Sequence, residues 1–151
     1  MISYRPMISL DLPVVVAMER EIYRTDAWSV GQFKEELANV PKNRSYLVAV
    51  NEKTEIVGYA GVFSPGFGLD ADVLTLTVSP TYRKQGIGRA LLKDLIEWAH
   101  ERQAPSIYLE VREGNEEASP LYQSEGFEAI SRRSNYYSFG VDAVVMKKDL
   151  Q

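Results

Sequence analysis

Gly86 and Gly88, set in Arg83-Lys84-Gln85-Gly86-Ile87-Gly88-Arg89, are the residues of this chain best suited to holding an anion. Neither has a Cβ, so a phosphate can come close to the main chain. The residues after them have helical spacing, and a helix N-terminus offers unpaired N–H groups and the positive end of its dipole. Arg83, Lys84 and Arg89 add positive charge to a chain whose formal net charge is −4. A glycine pair alone also marks an ordinary tight turn. It is not a dinucleotide fingerprint, because Leu91 stands where the third glycine of G-x-G-x-x-G belongs. Nor is it a Walker loop, since no Gly-Lys-Ser/Thr follows at the required spacing.

A second set lies downstream. Ile107-Tyr108-Leu109-Glu110-Val111-Arg112 is an apolar strand pattern carrying a carboxylate near its end, with Asn115 just beyond. Leu121-Tyr122-x-x-x-Gly126-Phe127 reads as a helix that stops at a glycine in the C′ position and passes into a strand. By residue type alone, Glu110 could be a strand-end carboxylate paired with Arg112 or a lysine. Tyr122 could be a buried aromatic with one hydrogen bond, and Asn115 a helix N-cap.

These side chains need a scaffold, and the hydrophobic patterning predicts one. Ile2 to Pro6 reads as a first strand. Asp11 stands ready to cap a helix with Pro13 in its first turn, and Val14, Val15, Met18 and Ile22 are expected on its packed face. Ser29-x-x-Gln32 is a capping-box pattern opening a second helix, with Phe33 and Leu37 inward and Trp28 stapling its start. Tyr46–Val50 and Ile56–Phe63 flank a polar turn, a hairpin signal. Ala71–Val78 is the next strand, ended at Pro80, which has no N–H to extend a ladder. The helix after Gly86 is expected to run to about Gln103, with Ile87, Leu91, Leu95 and Trp98 buried and His100 near its C-terminus. Ser106–Val111, a helix over Asn115–Ser124, and strands Phe127–Arg133 and Ala143–Lys148 complete the order. That succession predicts an α/β (or α+β) mixed sheet covered by helices on both faces.

Composition narrows the function classes. With 151 residues the chain is read as a single domain, 1–151, able to bury a real core. A pI near 5.1 argues against nucleic-acid binding, which favours a basic face. The absence of cysteine excludes disulfides, thiolate metal sites and a cysteine nucleophile, and fits a reducing cytoplasm. One histidine and no clustered carboxylates argue against a metal site. The start, Met1-Ile2-Ser3-Tyr4-Arg5, lacks the pattern of a signal peptide, and no apolar run approaches the roughly 20 residues that span a bilayer.

Taken together, the glycine turn, the Leu109-Glu110-Val111-Arg112 strand with Asn115, and Leu121-Tyr122-x-x-x-Gly126-Phe127 resemble the GNAT family of N-acetyltransferases over nearly the whole chain. Arg132-Arg133-x-Asn135-Tyr136-Tyr137 and Asp142-Ala143-x-x-Met146 resemble its RimI-type N-terminal alanine acetyltransferases in particular. Two departures fall near the expected substrate groove and so bear on peptide selectivity: Ala27 precedes Trp28 where many relatives have Pro, and an extra Ser134 splits Arg133 from Asn135.

The resemblance implies a mostly antiparallel mixed sheet in which two neighbouring parallel strands, Ala71–Val78 and Ser106–Val111, splay apart around acetyl-CoA. It implies that Leu76, Thr77 and Val78 offer backbone groups to the acetyl-pantetheine arm. Lys84, Gln85, Gly86, Ile87, Gly88 and Arg89 would cradle the pyrophosphate, and Asn115 would touch the cofactor. An α-amine with a pKa of about 7.7–8.0 is mostly protonated at neutral pH and needs a base. Glu110 matches the family's general base, acting directly or through water, and Tyr122 its general acid. Trp28, Tyr136 and Tyr137 would line the peptide groove. The activity implied is acetyl transfer to the N-terminal α-amine of a ribosomal protein, within a ternary complex. The protein is expected to be cytoplasmic, a monomer or weak dimer, without metal, membrane or nucleic-acid partners. A small-molecule amine or lysine acceptor, and a CoA-binding module without turnover, are the competing readings.

Overall fold

The structure, a computed structural model, describes residues 1–112, 119–133 and 142–150. Strand β1 (Ser3–Pro6) leads through a 3-10 turn into helices α1 (Leu12–Tyr23) and α2 (Val30–Ala38). Strands β2 (Arg44–Val50), β3 (Ile56–Phe63) and β4 (Ala71–Val78) follow, then helix α3 (Ile87–Glu101) and strand β5 (Ser106–Arg112). Helix α4 (Ser119–Ser124) and strands β6 (Glu128–Arg133) and β7 (Ala143–Asp149) come last.

The strands form one sheet in the order β1-β2-β3-β4-β5-β7-β6. Every adjacent pair is antiparallel except β4 and β5, which are parallel. Parallel neighbours need a long crossover, and α3 supplies it. The period-2 rule for strands then builds two cores. On β2, Leu47 and Ala49 face one side and pack with Leu91, Leu92 and Leu95 of α3. Tyr46, Val48 and Val50 face the other and pack with Val15 and Val16 of α1 and Phe33 of α2.

The local signals for α2 hold in detail. Gln32 N–H donates to Ser29 Oγ at 3.2 Å, and Ser29 N–H to Gln32 Oε1 at 2.7 Å. Trp28 packs on Phe33, with ring centroids 5.2 Å apart.

Other expectations need correction. Asp11 occupies the α1 N-cap position, yet its carboxylate makes no capping bond to α1. It takes the Ile8 N–H and both arms of Arg5, each near 2.8 Å, because a bidentate guanidinium outcompetes a lone amide. The buried stripe of α1 is Leu12, Val15, Val16 and Glu19, so Val14 is exposed and Met18 and Ile22 only half-buried. In α3, Ala99 takes the last buried position. Trp98 lies half-exposed under the Arg102 guanidinium, 4.9 Å from the ring. Helix α4 is described only from Ser119, so its expected start at Asn115 lies outside the described residues.

The pairing of β4 and β5 is brief. Ala71 faces Ile107 and Asp72 faces Tyr108, after which the ladder ends. On its other side β4 contains a bulge: Val73 pairs with Val62 and Thr75 with Gly61, leaving Leu74 unmatched. An extra residue bends the strand that carries it. The bend begins where β4 leaves β5, and the two strands open into a V beyond it.

Candidate active site

A cleft of about 610 Å³ lies along the part of β4 that has left β5. Leu76, Thr77 and Val78 of β4 form one wall, Pro120, Leu121 and Tyr122 of α4 another, and the turn from Tyr82 to Arg89 its end. Of the residues singled out from sequence, the cleft brings together Leu76, Thr77, Val78, Lys84, Gly86, Gly88, Arg89 and Tyr122. Gln85 is exposed and reaches back to the Thr81 carbonyl at 3.4 Å. The Ile87 side chain is buried in the core beneath α3, so only its backbone can face a ligand. Trp28 and Glu110 do not line this cleft. Asn115, Tyr136 and Tyr137 lie outside the described residues.

The turn is shaped for an anion. Gly86 takes φ +85°, a left-handed conformation that a Cβ would strain. The first bond of α3 runs from Ala90 N–H to the Gly86 carbonyl at 3.1 Å. The N–H groups of Ile87, Gly88 and Arg89 therefore have no acceptor within the helix. A Cβ on Gly88 would lie 3.3 Å from Leu121 Cδ2, so glycine lets α3 and α4 close on the cleft. Arg83 donates to the Val78 carbonyl at 3.0 Å, and Arg89 pairs with Glu125 while still lining the cleft. These residues fit a phosphorylated ligand such as acetyl-CoA: three cations and exposed amides converge on one end of a groove with apolar walls.

Glu110 sits on β5 two residues past its last pairing with β4, on the diverging part of the strand. Its Oε1 lies 3.4 Å from Arg133 Nη1, so neither Arg112 nor a lysine is the partner seen here. Its Oε2 is buried and accepts no hydrogen bond from the described residues. Arg112 reaches instead to Asp26, at 2.5 Å. The neighbouring Asp72 carboxyl is pushed up, first by burial and then by the charges of Glu110 and Asp70, with Arg133 opposing. Tyr122 packs edge-on against Phe127, centroids 6.1 Å apart. The α4 terminus holds it there: Phe127 N–H bonds the Tyr122 carbonyl and Gly126 N–H the Gln123 carbonyl, each at 3.0 Å, with Gly126 at φ +94°.

Sequence reasoning missed a second tier of residues. Ile22 and Tyr23, at the end of α1, also line the cleft. The Tyr23 hydroxyl shares a 2.8 Å hydrogen bond with Thr77 Oγ1. Below them Glu19, only 3% exposed, accepts from the Tyr59 hydroxyl at 2.6 Å and the Trp28 N–H at 2.9 Å. Burial pushes its carboxyl up, and those two donors oppose the shift. Burial likewise raises the Tyr59 and Tyr23 hydroxyls. The available signal is the spacing Leu12, Val15, Val16, Glu19, which sets a charge on an apolar stripe.

Among the described residues no helix is long and apolar enough to cross a membrane, and no three acidic or histidine side chains group as for a metal. The model of the acetyltransferase (GNAT) family matches residues 13–127. An uncharacterised protein of Mycobacterium leprae is 38% identical over 147 residues, which are 93% of this chain but only 39% of that protein. The N-alpha-acetyltransferase RimI of Mycobacterium tuberculosis is 38% identical over 129 residues, covering 82% of this chain and 77% of the relative. The crystal structure of a ribosomal-protein-alanine N-acetyltransferase from Escherichia coli superposes with a TM-score of 0.84 at 27% identity, covering 100% of this chain and 95% of that one. With the family model matching residues 13–127 and a relative 38% identical over most of both chains, the chain belongs to the acetyltransferase (GNAT) family.

Proposed function

We propose that this protein transfers acetyl from acetyl-CoA to the N-terminal α-amine of a protein, an alanine-first ribosomal protein being the favoured acceptor. One observation carries this reading: a single cleft joins the anion-binding turn at Gly86 and Gly88 to Tyr122 through the open β4 edge. The relatives named for N-terminal acetylation support the choice of acceptor.

In this reading the turn and its cations hold the pyrophosphate, and Leu76–Val78 bond the pantetheine arm. The acceptor amine attacks the thioester carbonyl, forming a C–N bond as the C–S bond breaks. Glu110 takes the proton released by the amine, directly or through one water, with its unpartnered buried Oε2 as acceptor. Tyr122 gives a proton to the departing thiolate. No cysteine exists to carry the acetyl group, which favours direct transfer in a ternary complex.

Release of free CoA tests the reading. The assay compares a peptide with a free N-terminal alanine against an N-terminally blocked peptide containing lysine. Turnover with the free α-amine alone is expected. Turnover with the blocked lysine peptide would reassign the acceptor to side-chain amines. Tight acetyl-CoA binding without turnover on either would point to a small-molecule acceptor or a regulatory module.

A further inference from the structure

Residues 23–28 form a strap across the mouth of the V. At its β4 end the Tyr23 hydroxyl is bonded to Thr77 Oγ1, 2.8 Å away. At its β5 end Asp26 Oδ2 accepts from Arg112 Nη1 at 2.5 Å. The strap therefore touches both strands where they have separated, on the same stretch of β5 that carries Glu110.

Glu19 lies beneath this strap. Burying a carboxylate is costly, and the cost is tolerable only when donors satisfy it. Here the donors belong to two different elements. The Trp28 N–H, at the end of the strap, gives one bond of 2.9 Å. The Tyr59 hydroxyl, from β3, gives the other at 2.6 Å. Tyr59 stands directly across the ladder from Thr77. Glu19 thus reaches one end of the strap directly, and it fixes Tyr59, the ladder neighbour of the Thr77 that bonds Tyr23 at the other. An apolar residue in this stripe position would pack without the cost of desolvation and would leave the Trp28 N–H and the Tyr59 hydroxyl without this acceptor.

We propose that Glu19 is a positioning residue that sets the 23–28 strap over the open strands and thereby orders the acceptor side of the cleft. The inference rests on the acetyltransferase reading above. The phosphate-facing turn is held separately, by Arg83 on the Val78 carbonyl and Arg89 on Glu125. Acceptor binding therefore depends on Glu19, and the hold on the phosphate end of acetyl-CoA does not.

The test uses the full chain with Glu19→Leu, Glu19→Gln and Tyr59→Phe. Three quantities are read: amide exchange at Trp28, acetyl-CoA affinity by calorimetry, and steady-state constants with the alanine-first peptide. Glu19→Leu is expected to speed Trp28 exchange and raise the peptide KM at least about tenfold each, with acetyl-CoA affinity within about twofold of wild type. Glu19→Gln keeps an acceptor for Trp28 and should restore both. Tyr59→Phe cuts the path to Thr77 alone, and should raise KM about threefold with Trp28 still protected. It decides the matter if Glu19→Leu does not fold. Unchanged exchange and KM in Glu19→Leu, or acetyl-CoA affinity falling in step with KM, would overturn the proposal, as would an unchanged KM in Tyr59→Phe. A wild-type protein inert toward both peptides would overturn the protein-acceptor reading instead. Trp28 exchange in the variants would then still decide whether Glu19 holds the strap.

Discussion

Tyr122 lies on α4 and Glu110 on the diverging end of β5, and each is expected to act on a different proton. Tyr122→Phe and Glu110→Gln should each lower kcat by about 10²-fold or more while leaving acetyl-CoA affinity nearly unchanged. Stopped-flow CoA release combined with calorimetry separates the two effects, and full activity in either variant removes that residue's role. Glu19 allows a prediction of a different kind, because burial raises its carboxyl above the ordinary glutamate value. As pH rises from that ordinary value toward the folded one, the unfolded chain has released its proton and the folded protein has not. Stability therefore falls with pH across this window, being fully present below it. Glu19→Gln removes the titration, so its urea midpoint should lack that fall when measured stepwise from pH 4 to 8. Both catalytic candidates are visible in sequence, because their neighbours form separated motifs. Glu19 is visible only as an acid on an apolar stripe.

At the level of elements, caps and turns behave as local chemistry dictates. The Ser29–Gln32 box is complete in the structure, so Ser29→Ala should cost about 1 kcal/mol and lower the melting temperature without altering acetyl-CoA affinity. Unchanged melting would show that the box contributes nothing here. The Asp11 expectation fails for an instructive reason. A cap assignment assumes the side chain has no better partner, and Arg5, six residues earlier, supplies two charge-assisted bonds. Helix faces are legible to within a residue: Val15, Leu91 and Leu95 are buried as spaced, while Val14 turns outward and Trp98 is only half-buried. The α1 stripe is shifted by the sheet it meets, which a single helix pattern does not contain.

Over the whole molecule, the site depends on two cores built on opposite faces of one sheet. Leu91 is fully buried between α3 and the sheet, and its methyl groups reach the backbone at Gly58. Leu91→Ala should cost about 2–5 kcal/mol, read as a lower urea midpoint; a loss below 1 kcal/mol would mean the core closes over the gap. The order of the elements, their types, the glycine turn and the family resemblance are all determined by the sequence alone. They rest on short-range causes: periodicity, capping, a missing Cβ and the absence of an N–H at proline. Tertiary structure alone decided where the sheet opens. The bulge at Leu74 is a mismatch between β4 and its partner β3, so nothing within Val73-Leu74-Thr75 announces it. It likewise decided that Glu110 meets Arg133 while Arg112 turns to Asp26. Tyr23, Thr77, Tyr59, Glu19 and Trp28 converge under one strap for the same reason. Those contacts join residues far apart in the chain, and their energies exist only once the packed sheet has brought the partners together.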